Sequence, residues 1–512
     1  MYFYRKTMKK KIILNMFSSL LLEIVSLICA FILPRLILVN FGSTYNGIVT
    51  SVTQFLSFVT LLRGGVGGVT RAALYGPLEE RDDNKISSIL KATEKFMRRV
   101  AYIFAVFLLV VAAVYPFLVN EEFDWFYTFT LVLILGISTF VQYYFGISNQ
   151  MLLQADQRQY VYSYLQTAAT ILNTIISVLL INAGVEFRLV KLGSALVFCL
   201  IPLALYSYVH RKYRIIKDAP MDNSALTQRW DAFAHQISAF VHANTDVVLL
   251  TLFSNLYQVS IYTVYTMVTN GIRKFVNICS NGIDAAIGKL LARNENCILN
   301  KGIEMYEWVV HIVSTIFFVC TAMLIVPFVM IYTNGVEDTN YFQPALGYLL
   351  CISQFVTCIR LPYQNVVEAA GQFKQTKNGA IAEAVINIVV SIPMIILWGS
   401  AGAVMGTIMA IAFRTIQYAC YASCEILKRP SSVFIKRFCV SGGVIITLMG
   451  TYMLLDIDQY LLNVSTYFEW TISAAFVFIV VTVVTLTVNL LFYPKVTRII
   501  IDEIRSLVKM RR

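Results

Sequence analysis

Phe41-Gly-Ser-Thr-Tyr45-Asn-Gly-Ile-Val-Thr-Ser-Val52 returns in degenerate form as Phe253-Ser-Asn-Leu-Tyr257-Gln-Val-Ser-Ile-Tyr-Thr-Val264, 212 residues on (253 − 41). Two further matches fall at nearly the same distance. Gln154-Ala155 answers to Glu368-Ala369, and Asn173-x-x-x-Ser177 to Asn387-x-x-x-Ser391, both at 214 (368 − 154 and 387 − 173). A fixed offset of this size is the mark of an internal structural repeat.

The repeat lies in a chain built of apolar runs. Of its 512 residues, 58% are hydrophobic and 14% charged, and the mean hydropathy is +0.69. Soluble domains carry roughly 25% charged residues. Runs of about twenty apolar residues are what an α-helix needs to cross roughly 30 Å of hydrocarbon. We read spans at 12–39, 45–62, 100–118, 126–153, 161–181, 192–209, 233–253, 259–283, 308–332, 341–366, 380–398, 401–424, 438–455 and 471–493. The fold class expected is an all-α polytopic membrane protein with about fourteen transmembrane helices. The first run is too long for a signal-peptide core and lacks a small-residue cleavage site, so it is expected to remain as the first span.

Charge gives the spans a direction. The net charge is +12. Basic residues crowd the N-terminus (Arg5, Lys6, Lys9, Lys10, Lys11), the loop after the second span (Arg71, Arg81, Lys85, Lys91, Lys95, Arg98, Arg99), the loop after the sixth, and the tail. The intervening loops are short and hold Glu121, Glu122, Asp124, Glu337, Asp338, Asp456 and Asp458, with Arg188 and Lys191 as the exceptions. This is the positive-inside bias, which places both termini in the cytoplasm of a cell-membrane protein. The surplus reports topology and membrane lipid rather than a nucleic-acid partner.

Spans one to six and seven to twelve then read as two six-helix lobes, residues 1–215 and 216–430. Residues 431–512 add two helices and a basic tail. Six is even, so the repeat is parallel, with its axis along the membrane normal. Two matching bundles around a central cavity are a transporter architecture.

The same residues resemble the oligosaccharide flippases (Wzx type) of the multidrug/oligosaccharidyl-lipid/polysaccharide exporter superfamily. Pro34-Arg35-Leu36 through Phe41-Gly42 to Tyr45-Asn46-Gly47 resembles the pattern at the end of that family's first helix. Asp246-Val-Val-Leu-Leu with Ile261-Tyr262 resembles the start of its second half. Leu153-Gln-Ala-Asp-Gln-Arg158 and Glu368-Ala-Ala-Gly-Gln372 stand where it has polar turns. The resemblance implies an exporter that flips a polyprenyl-diphosphate-linked oligosaccharide to the outer leaflet, driven by protons or monovalent cations. It would work beside polysaccharide polymerase machinery, with no enzymatic step, cofactor or metal.

A charged side chain at the bilayer centre costs about 2.5–3.5 kcal/mol or more, so each one needs a reason. Arg35, Arg273 and Arg360 are the candidate cavity cations for diphosphate, which a guanidinium grips with two parallel hydrogen bonds. Arg63 and Arg71 flank Arg63-Gly-Gly-Val-Gly-Gly68, a run that could bring backbone N–H groups to phosphate or make a close helix crossing. Glu23, His235, His242 and Asp246 are the candidate ion-coupling groups. The last three are spaced by seven and four and share a helical face, and the offset of 212 maps Glu23 onto His235. The bland alternatives are structural ion pairs and side chains reaching to the interface, the latter favoured for Lys274 and Arg414. His311 reads as a hydrogen-bonded packing residue. No nucleotide-binding loop is present, which disfavours an ATP-driven pump. A membrane polymerase or glycosyltransferase would want longer outer loops. A drug/cation antiporter of the same superfamily would want a cavity dominated by carboxylates.

Overall fold

The computed structural model describes residues 2–63, 66–216, 219–221, 240, 244–278, 280, 283–293, 295–494 and 496–498. Among them every regular element is helical and there is no strand. In hydrocarbon the backbone must satisfy its own hydrogen bonds, and a helix does so within one segment.

The chain divides into two compact units, Met1–Ser260 and Ile261–Arg512. The first holds α1 (Tyr2–Phe41), α2 (Ser43–Ser57), α3 (Val59–Leu62), α4 (Val66–Glu80), α5 (Asp83–Val114), α6 (Trp125–Val141), α7 (Ile147–Ala155), α8 (Gln159–Asn182), α9 (Phe187–Lys212) and α10 (Asn244–Phe253). The division falls within α11 (Leu256–Ile278). The second unit continues with α12 (Ile283–Ala292), α13 (Asn296–Tyr332), α14 (Pro344–Ala369), α15 (Phe373–Tyr421), α16 (Ser432–Leu454), α17 (Ile457–Leu462) and α18 (Tyr467–Phe492). One π-helical turn, Gln142–Gly146, joins α6 to α7, and another, Ala422–Ile426, ends α15.

Caps set several boundaries. Asp82 accepts from the Asn84 and Lys85 amides at the start of α5, and Asp124 from those of Phe126 and Tyr127 at the start of α6. At α18 the Thr466 hydroxyl accepts from the Glu469 amide. Between α1 and α2 the chain turns at Gly42 with φ 95°, a value open to glycine and little else.

In the first unit α1 packs along α8, α8 along α9, and α5 against α6. The core there is built from Val52, Met97, Phe104, Tyr115, Leu131 and Ile147. In the second unit α13 is the central pillar, packed by α14, α16 and α18. Its membrane-crossing window is 78% buried, against 11% for that of α1, so α13 organises its unit and α1 lines the rim of its own.

Ten described helices are long and apolar enough to cross a membrane, or eleven if the pair Ser43–Leu61 and Val66–Glu80, bent by 49°, counts as one. The expected fourteen is not reached by that measure, for identifiable reasons. Expected spans eleven and twelve are a single segment, Lys374–Ile426, of 53 residues. Straight, it would run about 80 Å, far beyond the hydrocarbon. Trp398 and Gly399 leave helical geometry, Gly399 at φ 55°, and the chain folds back there. Expected span seven lies about half outside the described residues, at 233–239 and 241–243, and its described helical part is Asn244–Phe253. Expected span eight is helical as α11, yet is not among the segments apolar enough to qualify.

The units share a local feature at the repeat distance. Gln157 follows α7 with φ 56°, and Gly371 follows α14 with φ 68°, 214 residues apart (371 − 157). Both polar turns singled out in the sequence therefore reverse through a left-handed residue.

Candidate functional site

In the first unit, the turn at 153–158 gathers charge from three directions. The Lys11 ammonium donates to Asp156 Oδ1 and to its carbonyl, both at 2.8 Å. Arg158 Nε and the Tyr213 hydroxyl donate to Asp156 Oδ2 at 2.6 and 2.5 Å. Asn15 closes the same corner, donating to the Gln157 carbonyl and accepting from the Tyr160 amide. Burial, the largest influence, pushes the Asp156 pKa up. The hydrogen bonds from Lys11, Tyr213 and Arg158 outweigh it, and the carboxyl ends below its ordinary value. At the corresponding turn of the second unit Gln364 Nε2 donates to Glu368 Oε1 and the Tyr421 hydroxyl to Gln372 Oε1, both at 2.7 Å.

A second polar seam in the first unit stitches α2 to α10. The Ser51 and Thr251 hydroxyls meet at 2.7 Å, and the buried Tyr115 hydroxyl donates to Ser51 at 2.8 Å. Asn46 Nδ2 donates to Ser260 Oγ at 2.9 Å, joining α2 to the start of α11. Asp246 is buried on α10 and engages a neighbour.

The second unit carries two buried ionic clusters. Glu383, on the first arm of α15, receives Arg360 of α14 at 2.9 Å and Arg414 of the second arm at 3.6 Å. Arg414 also donates to the Thr376 carbonyl, Gln417 Oε1 and the Tyr418 hydroxyl. Two guanidiniums thus share one carboxylate. Arg273 of α11 lies within electrostatic reach of Arg360, which adds a third cation to the neighbourhood. The second cluster centres on the fully buried Glu307, which pairs with Arg429 and, at 3.2 Å, with Arg437 of α16. Beside it His311 Nδ1 lies 3.0 Å from Ser441 Oγ, the packing role read for it.

The candidates thus separate. Arg273 lies within electrostatic reach of Arg360, and Arg360 is committed to a carboxylate. Arg71 donates to Gln154 Oε1 at 2.8 Å, on the polar turn. Arg63 is exposed at the end of α3, and Gly64 and Gly65 after it lie outside the described residues. Glu23 is exposed and Arg35 half-buried on α1, each engaged with a neighbour. His235 and His242 lie outside the described residues. Arg414, expected to reach to the interface, is instead buried in an ion pair.

Glu383, Glu307, Arg429 and Arg437 were missed as site candidates. The signal for Glu383 was present, since it stands four residues inside the apolar run 380–398 and falls under the rule applied to Glu23. Glu307 precedes its run by one residue and reads as a loop charge, so only packing reveals its burial.

No protein-family model matches the sequence, and no curated protein does. Solved structures do. The lipid II flippase MurJ, in an inward closed conformation, superposes with a TM-score of 0.67 at 14% identity, over 95% of this chain and 100% of that one. The outward-facing form of a multidrug resistance MATE family transporter gives 0.55 at 12%, over 80% of this chain and 96% of that one. A transporter of the same superfamily from Pyrococcus furiosus, described as having a binding pocket of reverse polarity, gives 0.51 at 13%, over 82% and 97%. These matches are to transporters and a flippase, not to enzymes, and at such identities they speak for fold. The chain is a multi-pass membrane protein with the fold of the multidrug/oligosaccharidyl-lipid/polysaccharide exporters.

Proposed function

We propose that this protein is an ion-gradient-coupled flippase that moves a polyprenyl-diphosphate-linked oligosaccharide across the cytoplasmic membrane by alternating access. The observation that carries this reading is the extent of the flippase match, 95% of this chain and all of the other. The multidrug transporter match covers less of this chain, 80%. A second support is the surplus of buried cation. Arg360 and Arg414 share the single carboxylate of Glu383, with Arg273 within electrostatic reach of Arg360, a balance that suits an anionic cargo better than a cationic drug.

In this reading the lobes are the two repeats, 1–215 and 216–430. Arg35, Arg63, Arg71, Arg273 and Arg360 contact the diphosphate or acidic sugars. Glu23, His235, His242 and Asp246 exchange the coupling ion. Arg360 would loosen from Glu383 as the phosphate arrives. The test is translocation of a fluorescent polyprenyl-diphosphate oligosaccharide in proteoliposomes, with protein insertion verified. Arg35→Ala, Arg273→Ala and Glu23→Gln are each expected to lower the rate at least tenfold, equivalent to about 1.4 kcal/mol or more of lost interaction. Wild-type rates in all three would sink the assignment. Drug/cation antiport, the second reading, draws on the MATE match and predicts proton-coupled efflux of organic cations by the same vesicles.

A further inference from the structure

A cavity of about 530 Å³ opens on the first unit between the N-terminal half of α5 and the C-terminal end of α9, with residues 215, 216 and 221 along its edge. Its walls carry Lys91, Lys95, Arg98 and Arg99 from α5 and His210 from α9, against one acid, Glu94. That acid pairs only loosely with Arg98, at 3.8 Å. Lys91 donates to the Ala219 carbonyl and Ile216 donates its amide to Ser87, so the chain leaving α9 is tied down over the cavity's edge. Lys95 and Arg99 are exposed and make no ion pair among the described residues.

The depth of this cavity follows from length. The segment Asp83–Leu118 spans 36 residues, about 54 Å of helix against about 30 Å of hydrocarbon. The apolar run starts only at Val100, so Arg98 and Arg99 stand at the level of the headgroups and Tyr102 stands one turn deeper. Tyr102 and Tyr206 line the cavity, and the Arg98 guanidinium lies 5.1 Å from the Tyr144 ring centre. Tyrosines at this level are the aromatic belt of a membrane interface. Beyond Tyr102 the helix presents Ile103, Val106, Leu109 and Val110, all exposed, at spacings of three and four. One face of α5 therefore reads, from its start inward, as cationic, then aromatic, then apolar. A phospholipid has the same sequence of phosphate headgroup, glycerol backbone and acyl chain.

We propose that this cavity binds the phosphate headgroup of an anionic phospholipid from the leaflet on the basic side, with its acyl chain laid along the exposed face of α5. Arg98 and Arg99 grip the phosphate, Lys91 and Lys95 supply further charge, and Tyr102 packs at the glycerol. The site is separate from the residues proposed for the transported substrate.

The test uses the full chain in nanodiscs with a trace of spin-labelled phosphatidylglycerol or phosphatidylcholine. The wild type is expected to immobilise the anionic label preferentially. Arg98→Gln/Arg99→Gln should weaken that preference roughly 10- to 30-fold, and Lys95→Glu, at an exposed unpaired position, should weaken it as well. Arg98→Lys, which keeps the charge, should restore most of it. Equal label retention in wild type and both charge variants would overturn the proposal. So would full displacement of the label by millimolar inorganic phosphate, which would mark a free-phosphate site, or an equal preference for phosphatidylcholine.

Discussion

Glu383 stands between two guanidiniums in an apolar helix pair, and the clusters around it and around Glu307 are the most sensitive points of the second unit. Removing the shared carboxylate leaves two buried cations facing each other with no counter-charge. Breaking a buried pair from one side costs about 3–5 kcal/mol. Glu383→Gln is therefore expected to lower the detergent-solubilised melting temperature markedly, and Glu383→Gln/Arg360→Met to recover part of the loss. An unchanged melting point in the single variant would mean the pair contributes nothing. Asp156 makes a different prediction, in pH. Its pKa is depressed in the folded protein, so the stabilisation is complete above the ordinary carboxyl value of about 4 and drains away as pH falls through the depressed value. Thermal melts of wild type and Asp156→Asn should differ at neutral pH and converge as the pH drops below about 4. A constant gap across that range would contradict the clamp. Of these residues, Asp156 stands on the polar turn marked in the sequence and Arg360 among its candidate cations. Glu383 was overlooked, and the partners of Arg360 and Arg414 depend on which helices touch, which no spacing rule encodes.

Among the elements, α15 shows how far a sequence can specify a turn. Gly399 and Ser400 alone separate the two apolar runs, and the fold-back occurs at that point because Gly399 takes a φ that side-chained residues avoid. The two arms of α15 then run as a close antiparallel pair. A Cβ on Gly402 would strike the Met394 carbonyl, and one on Gly406 would strike Ser391. Across the same seam Asn387 Nδ2 donates to Thr407 at 2.8 Å. Small residues at such a crossing let backbones approach where lipid supplies no hydrophobic drive. Gly402→Val should push the arms apart and reduce the yield of monodisperse protein, read by size-exclusion chromatography. Gly450→Ala, with open space at its Cβ, should be neutral or slightly stabilising. A Gly402→Val protein that behaves as wild type would show that the arms are not in contact. Apolar run length was easily read from the sequence, but apolar character proved a poorer guide for α11, whose polar and charged side chains take it below the threshold for a span.

Across the whole molecule, the apolar runs, the helical class and the superfamily resemblance were all legible in the sequence. The exact number of spans was not, because the composition around 43–80 and 233–283 mixes apolar with polar residues; the two-residue break at Gly399-Ser400, by contrast, was read as a boundary and is where the chain folds back. The proposed sites were legible only as a set of misplaced charges. Which charges meet is decided by tertiary packing between residues as far apart as Glu307 and Arg429.

The same distances also put an order on synthesis. Lys11 begins the membrane-crossing part of the first helix, and its partner Asp156 is 145 residues later in the chain. At roughly 5–20 residues per second, that partner leaves the ribosome some 7 to 29 s after Lys11 does. The first helix must enter the bilayer and hold its place through that interval without its clamp. The amino-terminal corner is thus fastened only after the helices between Lys11 and Asp156 have been made.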